Sequence, residues 1–145
     1  MRLWRQLWER WRPRRPQPPE HLRRGRLGED AALRELVATG MKFLAANYRS
    51  RHGEIDLILR EDDCLVFVEV KTRSSEEWTR PAAAVDARKR RLLSLTAEDY
   101  LRQLPDRRVK SRFDVVEVLL SAGDVREIRH LVNAFPSDTR PLRRR

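Results

Sequence analysis

The chain predicts an α/β domain with a mixed central β-sheet flanked by helices. Three observations predict it. Apolar periodicity gives the order helix, strand, strand, strand, helix, strand, strand, and sheets interrupted by a long helix belong to this class. The segment Cys64–Val70, CLVFVEV, is nearly continuous hydrophobe, as in a strand covered on both faces. Two stretches, near residues 32–37 and 85–104, carry apolar residues at helical spacing.

The first helix is expected over Gly25–Thr39, with Ala32, Leu33, Leu36 and Val37 as its stripe and Gly40 as its stop. Glu29 and Asp30 then fall in the first turn, where carboxylates favour the helix dipole. Met41–Tyr48 reads as a strand at a sheet edge. Gly53–Thr72 reads as a hairpin with Asp62-Asp63 at its turn. A polar loop continues through Pro81, and Val85–Leu104 forms the second helix, ended by Pro105. Its run Arg88–Arg91 covers too much of the helix circumference to converge on one point and reads as a solvated face. Phe113–Leu120 is a strand, Ser121–Asp124 turns, and Val125–Val132 is the last strand. Whether helices cover one face of the sheet or both is open at this stage.

The hairpin carries the chemistry. Period two puts Glu54 and Asp56 on one face of its first strand and Ile55, Leu57 and Leu59 on the other. On the second strand Phe67, Glu69 and Lys71 share a face, opposed by Val66, Val68 and Val70. With Glu61 paired to Cys64, Asp56 lies opposite Glu69, and Glu54 opposite Lys71. Opposed side chains point to the same face, so three carboxylates and an ammonium gather. Charges in so apolar a strand are costly unless paired or bound to metal. Asp56 and Glu69 offer the oxygens that Mg²⁺ takes, and Lys71 can hold a water or an anionic transition state. The same spacing also fits a solvated edge ladder with a Glu54–Lys71 ion pair. Arg49, Arg51 and His52, just before the acidic cluster, are placed to meet phosphate.

The chain has 145 residues, 40% hydrophobic and 37% charged, enough for one domain with a real core. Its net charge of +10 is uneven: residues 1–24 contribute +6, residues 137–145 contribute +3, and 25–136 only +1. Basic ends of this kind suit nucleic acid or another anionic surface. The organisation is therefore a leader (1–24), a domain (25–136) and a basic tail (137–145). In the leader, Trp4, Leu7, Trp8 and Trp11 recur at helical spacing before Pro13, Pro16, Pro18 and Pro19 impose an extended linker. Disorder is its expected state; a nucleic-acid arm, membrane-interface contact or packing on the domain are the alternatives. The single cysteine, Cys64, excludes an intramolecular disulfide. His21, His52 and His130 are scattered, and no spacing suggests zinc. No apolar run approaches the roughly 20 residues of a membrane span, and no signal-peptide h-region is present. A cytoplasmic location is expected.

The motifs GRLGEDAA, Asn47-Tyr48-Arg49, GEIDLI, FVEVKTR and RFDVV, in this order, resemble the YraN family of bacterial proteins. That family is assigned to the restriction-endonuclease-like, PD-(D/E)XK superfamily and is similar in its core to archaeal Holliday-junction resolvases. The resemblance covers about Gly25–Val132; the leader has no counterpart in it, and no Pro precedes Asp56. It implies metal-dependent phosphodiester hydrolysis, with Asp56 and Glu69 as ligands of Mg²⁺ or Mn²⁺. Lys71 would position the attacking water, and Glu29 would be an auxiliary ligand or a base acting from the first helix. The implied substrate is nucleic acid, DNA ahead of RNA, in branched or single-stranded form. Arg49, Arg51 and Arg73 are the candidate contacts to it. Resolvases dimerise on symmetric junctions, so a homodimer is among the partners to test. The alternative is a module of the same fold that binds nucleic acid or a partner without turnover.

Overall fold

A computed structural model describes residues 18–74, 85–106 and 108–139. The Trp/Arg stretch of the leader, most of its proline-rich stretch, the polar loop around Pro81 and the last residues of the basic tail lie outside these. The elements come in the expected order: α1 (Glu20–Ala38), β1 (Lys42–Ser50), β2 (Gly53–Glu61), β3 (Cys64–Ser74), α2 (Ala87–Leu101), β4 (Lys110–Ser121) and β5 (Asp124–Phe135). The sheet runs β1-β2-β3-β4-β5, so β1 is indeed an edge. Neighbours are antiparallel except β3 and β4, which are parallel. A parallel pair needs a crossover, and α2 is that crossover.

Both faces of the sheet are covered, which the sequence left open. On one side Ala32 and Leu36 of α1 pack on Leu57, Leu59, Val66, Val68, Val116 and Val118. On the other, Leu93 and Ala97 of α2 pack on Ile55, Ile58, Leu65, Phe67, Phe113 and Val115. The strict alternation along β3 is the expected one. Ile55 departs from expectation: it faces α2 with Ile58, while Leu57 and Leu59 face α1. The period of two is therefore broken between Ile55 and Leu57, at Asp56.

Helix α1 begins at Glu20, five residues before the expected Gly25. Pro19 stands at its N-cap, and its carbonyl accepts the N–H groups of Leu22 and Arg23. The first turns lie beyond the core stripe, with Leu22 exposed, so apolar periodicity does not report them. Asp86 caps α2 by accepting the Lys89 N–H at 2.8 Å. The cap starts α2 so that Lys89 falls in its first turn, where its Nζ reaches Glu69.

Candidate active site

The hairpin has the expected register, from Glu61↔Cys64 to Leu57↔Val68. Asp62, at φ 50°, takes the left-handed turn conformation, which aspartate tolerates. One step past Leu57 the register sets Asp56 opposite Glu69, and there the strands part. β2 continues along β1 to Gly53, and β3 continues along β4 to Ser74. At the fork the Asp56 carboxylate accepts the Val70 N–H at 2.8 Å.

Helix α1 closes one side of the fork. A Cβ on Gly28 would sit 1.8 Å from Thr72 Oγ1, so helix and strand cross at a distance that only glycine permits. The next residue, Glu29, lines a cleft of about 340 Å³ with Asp56, Glu69, Thr72, His21 and Arg24. His21 and Arg24 enter it because α1 starts early. Glu29 lies in the third turn of this helix, not in the first. The dipole benefit fades within the first turn, so it does not account for a carboxylate there.

Electrostatics make the cleft costly for its acids. Burial, then the charges of Glu69 and Glu29, push the Asp56 carboxyl up to about 7, against the pull of the Val70 N–H and Lys89. Burial, then Glu54, Asp30 and Glu69, also raise Glu29. Glu69 is 6% exposed. Its Oε1 lies 3.4 Å from Lys71 Nζ and 3.6 Å from Lys89 Nζ. Its Oε2 is buried without a hydrogen-bond partner. A carboxylate oxygen in that state is expensive, and a cation is what would satisfy it.

Asp56, Glu69 and Lys71 thus come together, with Glu29 across the cleft. Glu54 stays close enough to Glu29 to raise its carboxyl, but it does not pair with Lys71. Beyond the fork its cross-strand neighbour is Arg49, and Arg49 Nε donates to it at 2.7 Å; the expected Glu54–Lys71 pairing is replaced. Of the expected phosphate contacts, Arg49 is so engaged, Arg51 is exposed in the β1–β2 turn, and Arg73 Nε lies 4.0 Å from Glu117. Lys89 is the residue that sequence reasoning missed, by treating Arg88–Arg91 as one solvated face. A crossover helix starts over the carboxyl end of the preceding strand, where α/β sheets gather their sites; that rule would have found it.

Hard cations such as Mg²⁺ use one or two carboxylates and keep several waters. Asp56 and Glu69, with the orphaned Oε2, fit that donor set. Among the described residues no three His, Cys, Asp or Glu side chains converge as a complete cage.

Glu29→Gln separates a structural role from a functional one. With the carboxyl already raised, loss of its charge is expected to leave metal-free melting unchanged or slightly higher at neutral pH, whereas a helix-dipole role predicts a loss of about 0.3–1 kcal/mol. Thermal melts in EDTA check it, and a lower melting temperature in the variant would make Glu29 a structural residue.

A mixed five-stranded sheet between two helices, forked over buried carboxylates, defines an α/β protein compatible with a restriction-endonuclease-like core. The chain belongs to the uncharacterised protein family UPF0102, whose profile matches residues 28–118 and which is the YraN family that its motifs resemble. It is 44% identical over 111 residues to a UPF0102 protein of Rhodococcus opacus, covering 77% of this chain and 94% of that one. A UPF0102 protein of Porphyromonas gingivalis is 44% identical over 122 residues, 81% of this chain and 87% of its own. One from Solibacter usitatus is 46% identical over 124 residues, 84% and 90% respectively. No helix among the described residues is long and apolar enough to cross a membrane.

Proposed function

We propose that the protein is a divalent-metal-dependent nuclease that hydrolyses phosphodiester bonds in nucleic acid, DNA ahead of RNA. The observation that carries this reading is the buried, unpartnered Oε2 of Glu69 beside an Asp56 whose carboxyl is strongly raised. Two buried acids side by side, destabilising each other, are the arrangement a cation would relieve.

Asp56 and Glu69 would hold Mg²⁺ or Mn²⁺, the Val70 N–H fixing the Asp56 carboxylate in place. The ion, when bound, supplies Lewis acidity and a water of lowered pKa. Lys71, tethered to Glu69 and partly exposed, would hold the attacking water or the charge that develops on a phosphate oxygen. Glu29, with its raised carboxyl, would take or relay a proton across the cleft.

Lys71→Ala is expected to keep the divalent-ion effect on melting and to lose the cleavage rate by about 10²–10³-fold, the size seen when one charge-stabilising donor is removed. A panel of linear, single-stranded and branched DNA and RNA, incubated with Mg²⁺ and with Mn²⁺, checks it. Equal rates in wild type and variant would remove Lys71 from the mechanism. Glu69 Oε1 already has Lys71 and Lys89 beside it, which favours a second reading, a module that binds nucleic acid without cutting it. Binding without cleavage across that panel is its signature.

A further inference from the structure

Beyond the cleft, the face of the sheet that carries Glu69 and Lys71 turns from apolar to charged. β3 and β4 run side by side with Lys71 beside Glu117, and β5 sets Arg129 opposite Glu117. Glu117 is 1% exposed. Arg73 Nε approaches its Oε1 at 4.0 Å, and Arg129 Nη1 its Oε2 at 3.8 Å. One buried carboxylate on the middle strand thus holds an arginine from each neighbouring strand, one to each oxygen. Burial pushes the Glu117 carboxyl up, and the two arginines oppose it.

The count of charges is the telling feature. One cation suffices to balance one buried carboxylate. Here Glu69 has Lys71 and Lys89, and Glu117 has Arg73 and Arg129. Arg129 also pairs with the half-exposed Glu127 at 3.6 Å, a surface contact worth little to stability. Among these named groups four cations face three carboxylates, next to the cleft. The contacts to Glu117 are long, and Arg73 Nε is buried without a hydrogen-bond acceptor. The Arg73 side chain is 28% exposed, and a guanidinium matches phosphate with a planar fork.

We propose that Arg73 and Arg129, held abreast by Glu117, clamp a backbone phosphate of a nucleic-acid strand whose scissile phosphate lies over Asp56 and Glu69. The clamp rests on the nuclease reading for its substrate and adds a second phosphate contact to it. Glu117 lies one strand across and two residues along from the Glu69 pairing level, roughly 8 Å away by strand spacing. That is the scale of one nucleotide step. Glu117 is a positioning residue: it sets the two guanidiniums and touches no phosphate.

The test is fluorescence anisotropy of a labelled single-stranded oligonucleotide with the full chain, in EDTA, over a series of salt concentrations. Melting curves first establish that each variant folds. Arg129→Ala is expected to flatten the slope of log K against log salt by about 0.7, one phosphate contact on a single strand. Arg73→Lys keeps the charge but loses the fork, so it should weaken binding with little change of slope. Glu117→Gln is the sharpest arm. It makes the protein more positive, so bulk attraction alone would tighten binding, whereas loss of the holding charge should weaken it at every salt concentration. Tighter or equal binding by Glu117→Gln overturns the positioning role. An unchanged slope in Arg129→Ala overturns the clamp, even if Glu117→Gln fails to fold. Wild type that cuts nucleic acid while the arginine variants bind as it does sinks the clamp alone. Wild type that binds through these arginines but cuts nothing keeps the clamp and sinks the nuclease reading.

Discussion

Asp56→Asn is expected to raise the melting temperature of the metal-free protein at pH 8 and to erase its response to divalent ions. The sign follows from the raised carboxyl. In the unfolded chain an aspartate titrates near 3.9, and in the fold Asp56 titrates at about 7. Between those values the folded state binds the extra proton, so wild-type stability falls as pH rises through this window. Above it the penalty is fully present. Asparagine carries none and can still accept the Val70 N–H. The advantage of the variant should therefore be largest above pH 7 and vanish below about pH 4. Divalent ions reverse the order. A ligand at 100 times its Kd adds about 2.7 kcal/mol to the state that binds it, and for a domain near this size each kcal/mol is worth about 2–4 °C. Wild type should gain several degrees with Mg²⁺ or Mn²⁺ and the variant almost nothing, with cleavage abolished. Melts at pH 4, 6 and 8, with and without ions, read all of this. A variant less stable than wild type in EDTA at pH 8 would return Asp56 to a structural role.

The second large effect lies away from the cleft. Asp114 is fully buried on β4. It accepts Arg112 Nε and Nη2 at 3.0 and 3.1 Å and the Asn133 N–H at 2.9 Å, and His130 Nε2 lies 2.7 Å from it. Burial pushes its carboxyl up, but the bonds from His130, Arg112 and Asn133 outweigh it and hold the group below the usual carboxylate range. A lowered carboxylate stabilises the fold above its unfolded pKa, and that stability is lost as pH falls through the folded value. Asp114→Ala leaves the partly buried Arg112 guanidinium with Glu61 alone and the Asn133 N–H without its acceptor, which costs up to about 3–5 kcal/mol. Urea unfolding of the variant at pH 7 should show that loss, and a smaller one at pH 3, where wild type is itself giving up the bonds. A loss below 1 kcal/mol at pH 7 would mean that Arg112 finds enough compensation in Glu61.

The parts of the fold and site that depend on short-range rules were legible from the residues. A two-residue acidic turn fixes the hairpin register, so the meeting of Asp56 and Glu69 follows from counting. The two-sided burial of β3 follows from its unbroken hydrophobe. Where the expectation failed, tertiary geometry had intervened. Counting on past Leu57 assumes a continuing ladder, but the strands fork, so Glu54 goes to Arg49. Alternation gives Ile55 to the wrong face for the same reason. Lys89 was hidden because its approach to Glu69 depends on how α2 lies over the sheet, which no local pattern sets. The start of α1 was hidden because its first turns are exposed and leave no apolar trace. The Arg73–Glu117–Arg129 arrangement joins three strands, and no local pattern encodes it.

The most direct test of the central claim, that Asp56 and Glu69 hold a divalent ion to cut a phosphodiester, is cleavage by wild type and Glu69→Gln side by side. Each is incubated with the DNA and RNA panel in EDTA, Mg²⁺ and Mn²⁺, with melting recorded in the same buffers. Cleavage by wild type only when an ion is present, a higher melting temperature with that ion, and neither effect in Glu69→Gln is the expected result. Wild type that cuts nothing and melts at one temperature in all three buffers would contradict it.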